Sequence, residues 1–201
     1  MASDLHEARL AGVVQALVKS GASSVLDLGC GSGELLIELR AQVQFNRLLG
    51  IDIDEQALAE ARLNLGLDLL NPDRRLHVCY GSFEDADHRL LGFNAAVMLE
   101  TIEHVEPSRL SRVEQTVFRA YDVDTVIITT PNQEYNVLHG MLPQQRRHPG
   151  HHFEWTRIQF NNWADGVARR HGYRVEFSGL GPPDVLRGSS TQMAVFSRCE
   201  P

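Results

Sequence analysis

Two segments of this chain concentrate residue types that do chemistry. Glu100-Thr101-Ile102-Glu103-His104 follows an apolar run, and its two carboxylates and imidazole fall at i, i+3 and i+4. Wound into a helical turn, these three side chains emerge on one face. Two carboxylates crowded there repel each other unless a cation lies between them, and a metal would also recruit the histidine. Taken alone, the spacing equally describes a solvated helix start with Glu103 and Glu106 near its amino end. The second segment, Arg147-His148-Pro149-Gly150-His151-His152-Phe153-Glu154-Trp155-Thr156-Arg157, packs three histidines against an aromatic and charged run. It closes the longest stretch without a clear element, from Pro131 to about Trp155. Loops that long in a compact domain are commonly functional or mobile. A fourth ligand for a cation held by Glu100, Glu103 and His104 would come from here. His139 and His171 read as surface or capping histidines.

A third segment, Asp27-Leu28-Gly29-Cys30-Gly31-Ser32-Gly33, follows an apolar strand and opens a helix. Glycines at 29, 31 and 33 allow a sharp turn and close approach of backbone to a ligand. The spacing differs from the GxGxxG dinucleotide fingerprint. Asp52 ends the next strand, where a carboxylate can accept both hydroxyls of a ribose. A purely structural strand–helix turn is the competing reading of the glycines.

The elements that must hold these segments alternate along the chain, as in a parallel sheet covered by helices. Strands are expected at 23–28, 47–52, 76–80, 93–99, 125–130, 173–178 and 192–197, with helices at 35–41, at about 55–67 and at about 156–171. A further helix between the fourth and fifth strands would start at Pro107. The 201 residues show no repeat, low-complexity tract or linker, so residues 1–201 read as a single catalytic domain with both α and β elements.

Composition narrows the classes further. With 43% hydrophobic and 22% charged residues the chain is neither disordered nor fibrous. It has no apolar run long enough to cross a membrane and no leader-like amino terminus, which points to a cytoplasmic protein without a membrane partner. Three cysteines without a CxxC pair suit a reducing compartment. A formal net charge of −7 argues against nucleic-acid binding by charge alone. That sum hides an asymmetry: residues 1–139 carry 11 basic and 21 acidic side chains, residues 140–201 carry 8 and 5. The carboxy-terminal basic excess is therefore expected beside any nucleic-acid-facing loop.

The glycine turn with its leading acid and second-strand Asp52 resembles the class I S-adenosylmethionine-dependent methyltransferases, over nearly the whole chain. That resemblance implies a Rossmann-like, seven-stranded, mostly parallel sheet in the order 3-2-1-4-5-7-6 with the seventh strand antiparallel and helices on both faces. It implies a cofactor site at Asp27, Gly29, Gly31, Gly33 and Asp52, with Ser82 and Phe83 beside the adenine; Phe83 fits the core equally well. The two histidine-bearing segments together resemble the small-RNA 3′-terminal 2′-O-methyltransferase family, with plant microRNA, animal piwi-RNA and bacterial RNA-repair branches. Its pattern is E-x-x-E-H, then R-H-x-D-H-x-F-E-W-T-R. Glu100, Glu103 and His104 match the first part; Arg147, His148, His151 and Phe153 to Arg157 match the second. Thr130 to Asn136 is similar to the family's segment after the fifth strand. Gly150 departs from the pattern's Asp, and Leu5 to Leu10 is only loosely similar to its amino-terminal segment.

The family resemblance implies a divalent metal (Mn²⁺, Co²⁺ or Fe²⁺ by ligand softness, Mg²⁺ by supply) on Glu100, Glu103, His104 and His151. It implies Lewis-acid activation of the 2′-hydroxyl of an RNA 3′ end with free 2′- and 3′-hydroxyls, and transfer of a methyl group from S-adenosylmethionine. His148 is a candidate general base or RNA contact. An RNA end-healing or ligase protein is an expected partner. The rival reading is a metal-independent class I methyltransferase acting on a small molecule or protein.

Overall fold

The computed structural model describes residues 2–68, 73–142 and 144–199. Its elements run α1 (Ala2–Ser20), β1 (Ser24–Leu28), α2 (Glu34–Ala41), β2 (Arg47–Asp52), α3 (Glu55–Asn64), β3 (Leu76–Tyr80) and β4 (Ala95–Leu99). These are followed by α4 (Leu110–Glu114), β5 (Thr125–Pro131), α5 (Arg157–His171), β6 (Tyr173–Asp184) and β7 (Gly188–Arg198). The seven strands form one sheet in the order β3-β2-β1-β4-β5-β7-β6. Strands β1 to β5 pair in parallel, and β7 lies antiparallel between β5 and β6. Both the expected order and the reversed seventh strand are found.

Alternation along the central strands divides the core between two faces. Ala95 and Val97 of β4 and Ile127 of β5 pack with Val13 and Leu17 of α1, Leu36 and Leu39 of α2, and Leu58 of α3. Ala96, Met98, Val126 and Ile128 point the other way, onto Val113 of α4 and Phe160, Ala164 and Val167 of α5. Each such side chain removed from water contributes about 1.5–3 kcal/mol, which fixes strand register and with it the residues at the strand ends.

The sequence expectations differ from the structure in three places. The amino-terminal helix α1, which the strand-and-helix pattern does not announce, packs on β6. The helix after Pro107 is irregular, a 3₁₀ turn (Pro107–Arg109), then α4, then a π-helical turn (Gln115–Ala120). The stretch from Pro131 to Trp155 contains a 3₁₀ helix (Gln133–His139) and is pinned by a parallel bridge between Asn132 and Trp155. Among the described residues no helix is long and apolar enough to cross a membrane.

Candidate active site at the strand ends

The carboxyl ends of β1, β2, β3 and β4 meet, where open α/β sheets place their ligands. After β1 the chain turns with Gly29, Gly31 and Gly33 at φ 83°, 51° and 84°. The Gly29 and Cys30 N–H groups donate to the Ile51 carbonyl at 2.8 and 2.9 Å, and Gly31 N–H donates to Asp52 Oδ2 at 2.9 Å. Asp52 Oδ1 accepts from Asp54 N–H at 2.9 Å, so both oxygens are oriented by backbone. A Cβ on Gly29 would stand 2.6 Å from Thr101 Cγ2, whereas one on Gly31 would project into open space. The turn thus packs tightly against the β4 end on one side and leaves room for a ligand on the other. Asp27 beneath it is buried, and its Oδ2 has no hydrogen-bond partner. Burial, then the nearby Asp52, pushes its carboxyl up to about 7. An unpartnered carboxylate beside a second one suits a cationic ligand such as S-adenosylmethionine. Ser82 Oγ accepts from Glu84 N–H at 3.1 Å, and Gly81 N–H donates to the Asp52 carbonyl at 3.1 Å, which brings the β3 loop alongside. Phe83 is half-buried and packs against the core.

At the end of β4 the chain does not wind into the α-helical turn that the i, i+3, i+4 spacing suggests. Glu100 takes φ 51°, with its N–H donating to Thr129 Oγ1 at 3.0 Å, and a 3₁₀ turn (Ile102–His104) follows. A left-handed non-glycine residue is costly and persists only where its surroundings over-determine it. Glu103 is not a solvated helix-start residue, being 0% exposed.

Among the described residues, four side chains here share one arrangement: each has one polar atom held and the other bare. Glu100 Oε2 pairs with Arg9 Nη2 at 2.8 Å, and Oε1 has no partner. Glu103 Oε2 accepts from Thr130 Oγ1 at 3.0 Å, and Oε1 has no partner. His104 Nδ1 lies 3.1 Å from the Gly150 carbonyl, which only a protonated Nδ1 can satisfy. His151 Nδ1 lies 2.7 Å from Glu154 Oε1, and its Nε2 faces Glu103 Oε1 at 4.0 Å. The His104 and His151 ring centroids are 4.8 Å apart. One nitrogen each of His104, His148 and His151 lies within 4.8 Å of the others.

The electrostatics run the same way. Burial and then Glu100 push the Glu103 carboxyl well up, and burial raises Glu100 against the opposing Arg9. Burial first, then neighbouring imidazoles, holds His104 down; burial also holds His151 down against Glu154. Carboxyls that resist ionisation beside imidazoles that resist protonation form a cluster short of positive charge. A divalent cation fits this donor set, since metal-ligating imidazoles must be neutral and are oriented by an outer partner on the other nitrogen.

The histidine loop is built on buried polar contacts. Glu154 Oε1 also accepts from Arg147 N–H at 2.6 Å, and Oε2 from Asn136 Nδ2 at 2.6 Å. Arg147 Nε donates to Asn136 Oδ1 at 2.6 Å, Nη1 to Ser190 Oγ at 3.1 Å and Nη2 to the Asn132 carbonyl at 2.8 Å. His152 N–H donates to the Glu103 carbonyl at 2.8 Å, joining loop to β4 end. Thr156 caps α5 in a capping box with Gln159, and Arg157 holds Glu134. Trp155 lies between Phe153 and Trp163 at 4.3 and 5.2 Å. The Phe-Glu-Trp-Thr-Arg run therefore supports the site rather than lining it. His139, exposed in the last turn of its 3₁₀ helix, bonds Ser190, and His171, half-buried in the last turn of α5, pairs with Glu114. Sequence reasoning gives no role to Arg9, Thr130, Asn136 or Glu154, although each lies in a segment with family similarity.

This fold and strand-end site define a class I methyltransferase. A methyltransferase-domain family model matches residues 25–122. The chain is 40% identical over 202 residues to the small RNA 2′-O-methyltransferase of Gallus gallus, covering 94% of this chain and 52% of that protein. It is 33% identical to the Arabidopsis thaliana small RNA 2′-O-methyltransferase, covering 96% of this chain and 22% of that protein. Against the crystal structure of the methyltransferase domain of bacterial CtHen1 the identity is 38% and the TM-score 0.88, covering 98% of this chain and 100% of that one. The chain belongs to the small RNA 2′-O-methyltransferase family. It spans about half the length of the vertebrate relatives it matches.

Proposed function

We propose that this chain is one catalytic domain that transfers a methyl group from S-adenosylmethionine to the 2′-hydroxyl of the 3′-terminal nucleotide of RNA, and that it does so with a divalent cation. The observation that carries this reading is the shared arrangement of Glu100, Glu103, His104 and His151, each held at one polar atom and bare at the other. These four would hold the cation; imidazole with carboxylate suits Mn²⁺ or Co²⁺, and Mg²⁺ by supply. Bound there, the cation supplies Lewis-acid polarisation to the vicinal hydroxyls of a terminal ribose. S-adenosylmethionine supplies the electrophilic methyl group, with Gly29, Gly31 and Gly33 shaping its cradle, Asp52 set for the ribose, Asp27 facing positive charge, and Ser82 and Phe83 beside the adenine. Arg9 and Thr130 fix the carboxylates, while the Gly150 carbonyl and Glu154 fix the imidazole tautomers. End specificity follows, because only a terminal nucleotide offers both hydroxyls. An end-healing or ligase partner in RNA repair, and a cytoplasmic setting, belong to the same proposal.

The test is methyl transfer to a short RNA with a 3′-hydroxyl, with Mn²⁺ and with EDTA. An RNA ending in 2′-deoxy or 3′-phosphate is expected to be inert. Glu100→Ala and His151→Ala should abolish transfer while S-adenosylmethionine binding by calorimetry survives. Full activity in EDTA would favour the metal-independent rival, and equal methylation of internal nucleotides would sink the end-specific reading.

A further inference from the structure

Three histidines, His104, His148 and His151, cluster here with one nitrogen of each within 4.8 Å of the others, but their hydrogen bonds do not put them in the same state. The backbone of Gly150 stands between two of them. Its carbonyl lies 3.1 Å from His104 Nδ1, and its N–H donates to His148 Nδ1 at 3.0 Å. A carbonyl only accepts, so His104 carries a proton on Nδ1 and leaves Nε2 with a lone pair. A backbone N–H only donates, so His148 Nδ1 is the bare nitrogen and the neutral ring carries its proton on Nε2. His151, with Nδ1 against the Glu154 carboxylate at 2.7 Å, sides with His104. The backbone of one residue therefore sets neighbouring rings in opposite tautomers. A side chain at position 150 would crowd this junction, since its Cβ would stand 3.0 Å from His148 Nδ1 and 3.1 Å from His104 Nδ1.

We propose that His148 is a substrate-binding N–H donor, offering Nε2–H to an oxygen of the terminal nucleotide, and neither a general base nor a metal ligand. This rests on the RNA 3′-end reading above. His148 is exposed at the rim of the cluster, its ring centroid 5.5 Å from that of His104 and 5.6 Å from that of His151. A base or a ligand at Nε2 would need the lone pair that the Gly150 N–H contact assigns to Nδ1. The acceptors within a terminal nucleotide are ribose hydroxyl and phosphate oxygens, and either takes an N–H bond.

Two measurements test it. Long-range proton–nitrogen correlation spectra of the metal-free protein, labelled with ¹⁵N at histidine and assigned with His148→Gln, should show His148 protonated at Nε2 and bare at Nδ1. His104 and His151 should show the opposite pattern. A proton on Nδ1 of His148 overturns the proposal. In kinetics, His148→Gln places an amide N–H near the Nε2 position, whereas His148→Asn reaches only as far as Nδ1. His148→Asn should raise KM for RNA about 5- to 10-fold, the worth of one neutral hydrogen bond, and His148→Gln should recover most of that loss. A fall in kcat of about 100-fold or more in His148→Gln, the size expected for a lost general base, overturns it. Equal KM in both variants overturns it as well. RNAs ending in 3′-deoxy or carrying a methylphosphonate at the last linkage identify the oxygen by which one erases the difference between the two variants. If the unmodified protein transfers no methyl to RNA, the functional reading fails, while the spectra still decide the tautomer on which this inference stands.

Discussion

Glu154→Gln removes one charge and nothing of the loop's volume, and three contacts set the size of its effect. The carboxylate accepts from Arg147 N–H at 2.6 Å and His151 Nδ1 at 2.7 Å through Oε1, and from Asn136 Nδ2 at 2.6 Å through Oε2. A glutamine has one acceptor oxygen. Placed at Oε1 it keeps two donors, but its amide nitrogen then faces the Asn136 nitrogen, donor against donor. Asn136 cannot turn over, because its Oδ1 holds Arg147 Nε at 2.6 Å. One buried donor is left without an acceptor, at about 1–3 kcal/mol, and two charge-assisted bonds become neutral at about 1 kcal/mol each. A loss of about 3–5 kcal/mol lowers Tm by about 6–20 °C in a domain of this size. The sign with pH is fixed by the carboxyl's ionisation. Burial pushes Glu154 up, but the bonds from Arg147, Asn136 and His151 outweigh it and hold its carboxyl below the usual value. Its contribution is therefore full above the ordinary carboxylate range and disappears as pH falls through the lowered value, so parent and variant should converge in acid. His151 also loses the anion that orients it, for which a drop of about 10–100-fold in metal affinity is expected. Thermal unfolding across pH and Mn²⁺ titration by calorimetry read the two effects separately. A variant with the full loss of Tm but Mn²⁺ affinity within about 2-fold of the parent would refute the claim that Glu154 aims His151 at a metal.

Asp27 carries the opposite sign. Its carboxyl is raised from 3.8 to about 7 in the fold, so the cofactor-free protein should lose stability as pH climbs from about 4 to about 7. Asp27→Asn should flatten that slope and be the more stable form above pH ~7, while binding S-adenosylmethionine more weakly; an unchanged slope in urea unfolding from pH 4 to 8 would contradict it. Arg9→Leu strands Glu100 Oε2 and Thr191 Oγ1, which Arg9 holds at 2.8 Å each. The expected cost is about 1–3 kcal/mol for each stranded acceptor, read as a lower urea midpoint. Arg9→Lys should recover only part of it, because one ammonium does not span both partners; full recovery would show that charge alone matters.

Much of the frame is legible in the sequence, because parallel strands announce themselves as short apolar runs between turn residues. Arg47–Asp52 and Leu76–Tyr80 fall where the run-and-glycine pattern puts them. Helix α1 is harder to read, since Gly12 interrupts it and glycine costs about 1 kcal/mol in a helix interior. The reason for that glycine lies far along the chain: a Cβ there would stand 2.4 Å from Leu180 of β6. The candidate site divides in the same way. Glu100, Glu103, His104, His148 and His151 stand out by residue type and spacing. The left-handed Glu100, and the partners Arg9, Thr130 and Glu154 that leave one atom bare on each side chain, are set by contacts that no periodicity encodes.

The arginines show why charge counted along a sequence misplaces its meaning. Of the 19 basic residues all but Lys19 are arginine, and the basic excess lies after residue 139. That excess is expected on a surface facing RNA, but the structure ties much of it into ion pairs and hydrogen bonds within the fold. Arg147 bonds Asn136, Ser190 and the Asn132 carbonyl; Arg157 bonds Glu134 and the Leu186 carbonyl; Arg170 bonds Glu114; Arg198 bonds Asp122 and the Tyr173 hydroxyl. A guanidinium with five donors in a rigid fork ties several acceptors at once, which a lysine ammonium does with far less geometric control. Arg147 and Arg157 in this way tie the long polar loop to the rest of the fold. What the loop presents at the rim is exposed imidazole, from His148 and His152. Hydrogen-bond donors of that kind suit recognition of one ribose end by its oxygens.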